Sequence, residues 1–509
     1  MGTQLVWFKR DLRVHDNAAL ASAAALGPVM CVYIVEPSYW RSPDTSQRQF
    51  DFLRECLRDL FLQLKACGVR LHVVTGEVTE VLDRLLQAQA FSHLHSHEET
   101  GNGMTYERDK SVARWCTRHG VKWQEHVQTG AVRRLPSRDT WSDLWTQRMH
   151  APQLVVPTVT PAAWPWPAER WPDWQAWGLP PDSAPERQTG GREAALHTLQ
   201  SFLNHRSGQY RGGISSPLSA SSACSRLSPY LSWGCLSMRE VVQATDRALT
   251  RPDLDPWTRK GLVAFTSRLH WHCHFMQKLE SEPAIEYENM HRGYDGLREN
   301  DWNPAHFERL RAARTGWPLV DACVTMLQHT GWLNFRMRAM LVSVAAYPLW
   351  LHWREVGNWL AGQFVDYEPG IHWSQMQMQS GTTGINTTRV YNPIKQAQDH
   401  DPQGTFVRRW LPVLRKVPDT WLFEPWKMPP SVQAHCGVIV GTDWPEPVVD
   451  LPAATRNAKA LLHARRKTPH VREGKHAVIE QHASRRVTTS TKRRRAAPPT
   501  NDVQTQLNF

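Results

Sequence analysis

The sequence predicts two unlike halves in one chain, an α/β N-terminal domain on a parallel sheet followed by an all-α C-terminal domain. Three observations carry this. Over the first 130 residues, short apolar runs alternate with amphipathic stretches. From about residue 195 onward, helical periods follow one another with strand-like alternation essentially absent. Between them lies a stretch dominated by Pro, Trp and Ala, and 509 residues are in any case too many for a single core.

In chain order, Leu5–Phe8, Val29–Val35, Arg70–Val74, Ser92–Leu94 and Val121–Trp123 read as strands, with helical patterns between them. A helix is expected just after His15-Asp16-Asn17, where Asp16 or Asn17 can cap Ala18 onward, and another from Gln47 to Cys67. These make an α/β domain over 1–130. A connector follows over 131–194, where Pro161, Pro165, Pro167, Pro172, Pro180 and Pro181 forbid regular helix. Its tryptophans (Trp164, Trp166, Trp171, Trp174, Trp177) are too apolar to float in solvent, so the connector should lie on a domain surface. Helical periods through Leu199–Phe202, Arg239–Ala248, Trp257–Leu279, Ala305–Arg314, Leu319–His329 and Phe335–Leu349 define an all-helical domain over 195–430.

Composition narrows the class without naming a function. Mean hydropathy is -0.51 and no apolar run is long enough to span a bilayer. The N-terminal residues lack the regions of a signal peptide, and the nine cysteines form no CxxC pair. A cytoplasmic protein with reduced thiols is expected. Net charge is +12, and residues 451–509 hold 13 Lys/Arg against 3 Asp/Glu, so nearly all of the excess sits at the end. That basic segment, 431–509, is expected to be disordered; its charge suits a phosphate backbone or a merely solubilising role equally well.

Longer motifs are more specific. Leu5-Val6-Trp7-Phe8-Lys9-Arg10-Asp11-Leu12-Arg13-Val14-His15-Asp16-Asn17, Ser225-Arg226-Leu227-Ser228-Pro229-Tyr230-Leu231-Ser232-Trp233-Gly234, Thr315-Gly316-Trp317-Pro318-Leu319-Val320-Asp321-Ala322, and Tyr391-Asn392-Pro393 through Arg408-Arg409-Trp410-Leu411-Pro412 occur in that order. They resemble photolyases and cryptochromes over roughly residues 3–415. The resemblance implies a Rossmann-like sheet domain able to hold an antenna pigment, a connector, and a helical domain enclosing FAD. His95 to Asn102 lies where relatives build part of the antenna site, without revealing which second chromophore would bind.

By this resemblance Tyr210, Cys224, Ser225, Arg226, Leu227 and Ser228 line the phosphate and ribityl side of FAD, and His272 belongs to the cofactor's surroundings. Hydroxyls and main-chain N–H groups at a helix start suit a diphosphate. Cys224 stands where a threonine is usual. Arg338 and Asp366 match the arginine–aspartate pair beside the isoalloxazine, and Glu368 a second acidic residue. His372 falls at the position facing flavin N5, where photolyases usually carry asparagine.

For electron supply, Trp353 matches the middle tryptophan of the family's chain and Trp302 is the outer candidate. The inner position is Met376, and Trp373 could replace it if the local backbone is shifted. The resemblance places Trp271, Arg336, Arg389 and Gln396 against DNA or the lesion. There Arg268 replaces a glutamate and Phe335 an asparagine. His270, His272, His274 and Cys273 suggest a metal site only superficially, since no acidic ligand shares the face of His270 and His274; no metal is expected. The final Gln504-Thr505-Gln506-Leu507-Asn508-Phe509 resembles peptides docked by bacterial sliding clamps. The leading functional expectation is light-dependent repair of pyrimidine dimers in DNA by a deoxyribodipyrimidine photolyase. The alternative is a cryptochrome-like photoreceptor without repair, and a third is a nucleic-acid-binding protein with a vestigial flavin site.

Overall fold

The computed structural model describes residues 2–167, 171–385 and 389–482. Five strands, β1 (Gln4–Phe8), β2 (Val29–Val35), β3 (Leu71–Thr75), β4 (His93–His97) and β5 (Lys122–His126), form one parallel sheet in the order β3-β2-β1-β4-β5. The crossover helices Ala18–Leu26, Gln47–Ala66, Val78–Ala88 and Gly103–His119 supply the amphipathic stretches between them. Asn17 makes the first cap, its side chain accepting from Leu20 N at 2.9 Å. Asp16 has another task.

That task is docking. Arg239 donates to Asp16 Oδ1 at 2.8 Å and the Ser237 hydroxyl to Oδ2 at 2.5 Å. Arg13 reaches Gly234 O at 3.0 Å, and Arg10 reaches Ser232 O and Tyr367 O at 3.3 Å each. Gly234 has φ +65°, and a Cβ there would lie 2.1 Å from Arg10 O, so only glycine admits this approach of the two backbones. The first motif therefore grips the second, joining sheet and helical halves through one continuous core that runs from Val6 and Phe8 to Tyr230 and Trp233.

The connector crosses the sheet half. Val29 donates to Thr160 O at 2.8 Å, Trp164 stacks on His72 with ring centroids 3.9 Å apart, and Trp174 packs against Phe50 at 5.9 Å. The helical half is built around Pro256–Ser281, Pro318–Thr330, Phe335–Ala346, Trp353–Gln363 and Pro369–Ser380. No helix among the described residues is long and apolar enough to cross a membrane.

The expectation of disorder from residue 431 is corrected over much of its length. Leu451–Arg466 and Pro469–His482 are helices, and Ala458, Leu462 and Val471 are buried against Tyr294, Ala346 and Tyr347. A few apolar residues at helical spacing suffice when a ready apolar surface awaits them, which composition over the whole segment conceals. The Gln504–Phe509 segment lies outside the described residues.

Candidate functional site

A cavity of about 310 Å³ opens within the helical half. Four elements shape it. The loop and short helix around 224–228 provide Cys224, Ser225, Arg226 and Ser228; the Pro256–Ser281 helix provides Arg268, Trp271 and His272; Phe335–Ala346 provides Phe335, Arg336 and Arg338; and residues 366–379 provide Asp366, Glu368, His372 and Met376. Tyr210 completes the same wall. These segments are far apart in sequence and meet only because the helices converge here.

At one side Arg338 Nη2 donates to both oxygens of Asp366, at 3.0 and 2.8 Å, while its Nε donates to Leu333 O at 2.8 Å. The guanidinium also lies 4.0 Å over the Phe364 ring. A cation so tied cannot swing away, and the pair leaves a polar, nearly neutral edge on the cavity. Beside it, the ring nitrogen Nε2 of His372 donates to Gly357 O at 2.9 Å. Burial holds the His372 imidazole down at about 4, so at neutral pH it is uncharged and its Nδ1 is an acceptor. Burial likewise holds His272 at about 4 and raises Glu368 to about 7, the nearby Arg10 opposing the latter shift.

Arg226 adopts φ +62°, rare for a residue with a side chain, and its guanidinium lies 3.7 Å over the Trp332 ring. Burial pushes it down to about 10 and the Cys224 thiol up to about 12. Three buried nitrogens of cavity-lining residues, Arg226 Nη1, His272 Nδ1 and Arg336 Nε, have no hydrogen-bond partner among the described residues. Such groups are costly unless a ligand completes them. A guanidinium and two serine side chains on one wall, with a paired arginine and aspartate on another, suit a ligand that carries a diphosphate at one end and a polar ring system at the other.

The remaining expected residues fall elsewhere. Leu227 is 1% exposed and packed in the core that joins the two halves, so its side chain is not on the cavity wall. Met376 occupies the wall, and Trp373 stands outside the lining, its Nε1 donating to Tyr367 OH at 3.1 Å. Trp373 contacts Trp353 edge-on at 6.0 Å and His372 at 4.9 Å, whereas Trp302 packs on Phe307 at 5.0 Å. Arg389 is exposed and Gln396 half-buried, neither lining the cavity. His270 packs edge-on against Trp141 and Trp145, and His274 accepts from Arg138 at 2.8 Å, on a face away from His272. In the sheet half, His97 bonds Asp11 at 2.7 Å and Glu99 pairs with Arg108 at 2.7 Å. Trp332, Phe275 and Phe364 also line the cavity and were not expected; only the short Gly331-Trp332-Leu333 turn before the Phe335–Ala346 helix signals one of them.

The fold and this cavity define a two-domain protein, an α/β half joined to a helical half that contains a cavity suited to an extended cofactor. Residues 265–464 match the FAD binding domain of DNA photolyase and residues 4–133 match DNA photolyase. Over 91% of its length the chain is 30% identical to Cryptochrome DASH of Gloeobacter violaceus, covering 96% of that protein, and over 89% it is 30% identical to deoxyribodipyrimidine photo-lyase of Streptomyces griseus, covering 98%. The crystal structure of a bacterial class III photolyase from Agrobacterium tumefaciens superimposes with a TM-score of 0.81 at 26% identity, covering 92% of this chain and 98% of that one. The chain belongs to the photolyase/cryptochrome family, and its cofactor is FAD.

Proposed function

We propose that this protein is a DNA photolyase that splits pyrimidine dimers by light-driven electron transfer. Bound FAD supplies the light-absorbing, electron-donating group. Ser225, Arg226 and Ser228 hold its diphosphate; Arg338 and Asp366 orient its ring system. The observation that carries the reading is that the wall bearing Arg338 and Asp366 continues to Trp271, Phe275, Phe335, Arg268 and Arg336. Apolar and aromatic surfaces there replace the stacking a flipped-out dimer loses, and the cations balance phosphate or a transient anion. Arg268 lies 5.4 Å over the Trp271 ring, so charge and stacking surface are presented together. Trp353 and Trp373, in edge contact behind Met376, are the aromatic pair that relays electrons inward.

The reading is tested by illuminating the flavin-loaded protein with oligonucleotides carrying cyclobutane or 6-4 lesions, side by side. Light-dependent restoration of either substrate supports it; photoreduction of the flavin with neither lesion repaired sinks it. A second reading, a cryptochrome-like photoreceptor, is favoured by Arg268 and His372, which depart from the photolyase pattern in the substrate pocket and beside the ring system. That outcome of the assay would select it. We further propose that Gln504–Phe509 docks on a bacterial sliding clamp. A pull-down comparing the intact chain with an L507A/F509A variant decides this, and equal recovery of clamp by both overturns it.

A further inference from the structure

The match to the family's FAD-binding domain ends at residue 464, yet the chain continues into the Pro469–His482 helix. A ring nitrogen of His291 shares a hydrogen bond with Val471 O at 2.9 Å, and Val471 is buried. Arg465 Nε donates to Gly293 O at 2.7 Å, fixing the preceding helix to the same turn. Between this helix pair and the body lies a second cavity of about 280 Å³, lined by Tyr294, Gly384, Ile385, Arg466, Val471, Arg472 and Lys475. Three of these side chains are cationic and none is a carboxylate.

Position gives the cavity its meaning. Gly384 and Ile385 follow the Pro369–Ser380 helix, whose Gln375 and Gln379 line the flavin cavity. Five backbone steps lead from Gln379 to Gly384, a reach of at most about 18 Å. At about 3.4 Å per nucleotide along one strand, that is about five nucleotides. We propose that the Arg466, Arg472 and Lys475 pocket binds backbone phosphate of a DNA strand about five nucleotides or fewer from the base seated in the flavin cavity. The inference rests on the DNA-acting reading above and adds a contact that the family-matched region does not contain.

The experiment measures affinity of the full flavin-loaded chain for duplexes over a range of salt. R472Q/K475Q should weaken binding several-fold near physiological salt and reduce the slope of log K against log salt by about 2, equally for lesion-bearing and intact duplex. R472E alone should weaken long duplexes similarly, while R118Q, an exposed change on the sheet domain, should not; unchanged flavin absorption shows that the fold is intact. Unaltered affinity and slope in R472Q/K475Q, where the wild type binds DNA in a salt-dependent way, overturns this site and leaves the repair reading standing. A wild type that binds no DNA at any salt overturns both. Competition by millimolar inorganic phosphate in wild type, without any effect of the variants on DNA, marks a free-phosphate site and overturns the DNA assignment.

Discussion

Asp366 has a side chain only 3% exposed, against 25% for Arg338, so the aspartate is the deeper member of the pair. Asp366→Asn leaves the guanidinium without its counter-charge on the cavity wall. Breaking a buried pair in this way costs about 3–5 kcal/mol. The variant should therefore unfold at lower denaturant and purify with less flavin per chain, read as the ratio of flavin to protein absorbance; wild-type values for both would refute the pairing argument. His372 makes a different prediction because its folded state resists protonation. The imidazole is held at about 4, whereas an unfolded histidine titrates near 6.5. Between those values the unfolded chain gains a proton that the folded chain does not, so acidification through this window destabilises the protein. The stability difference between wild type and His372→Asn should shift against the wild type by at most about 3 kcal/mol from pH 6.5 to pH 4, as measured by denaturant unfolding. Parallel pH curves would show that His372 is not the group responsible.

Among the elements, the contact of Trp353–Gln363 with Pro369–Ser380 controls the aromatic pair. Gly357 is the hinge of that contact, since a Cβ there would lie 2.5 Å from the Trp373 ring. In an exposed helix, Gly→Ala gains about 1 kcal/mol. Here the sign reverses, because Trp373 is 1% exposed and its indole nitrogen is already bonded to Tyr367. Gly357→Ala should cost about 1–3 kcal/mol by overpacking and should slow flavin photoreduction as the Trp353–Trp373 contact opens. A variant more stable than wild type, with unchanged photoreduction, would remove this account. The same packing explains why the motif around 373–378 was ambiguous as sequence. Helical spacing puts Met376 on the cavity wall and Trp373 behind it, and which face of that helix meets the cavity is set by its neighbours, not by its own residues.

For the molecule as a whole, the C-terminal helices are part of the fold and not an appendage. Leu462 is 1% exposed within the cluster of Tyr294, Ala346, Tyr347, Ala458 and Val471. Leu462→Ala should cost about 2–5 kcal/mol in thermal or denaturant unfolding of the flavin-loaded protein. A change below measurement would mean that the 451–482 helices dock only loosely. The N-terminal motif is equally global in its effect, because Arg10, Arg13 and Asp16 direct their polar groups across to 232–239 and to Tyr367. A segment legible as a family signature is thus also the clasp between the two halves.

The sequence by itself determined the parallel sheet, the helical half and the family, since periodicity is local and the motifs are long. It also named part of the cavity wall: Tyr210, Cys224, Arg226, His272, Arg338, Asp366, Glu368 and His372 were legible from motif position alone. Tertiary structure decided the rest. Leu227 sits within a matching motif yet packs in the core, Phe364 joins the wall without a signature, and the basic segment expected to be disordered forms the Leu451–Arg466 and Pro469–His482 helices. The physical reason is common to all three. Where a side chain points, and whether a weakly apolar helix is stable, depends on surfaces supplied by residues distant in the chain, and those exist only once the helices have packed.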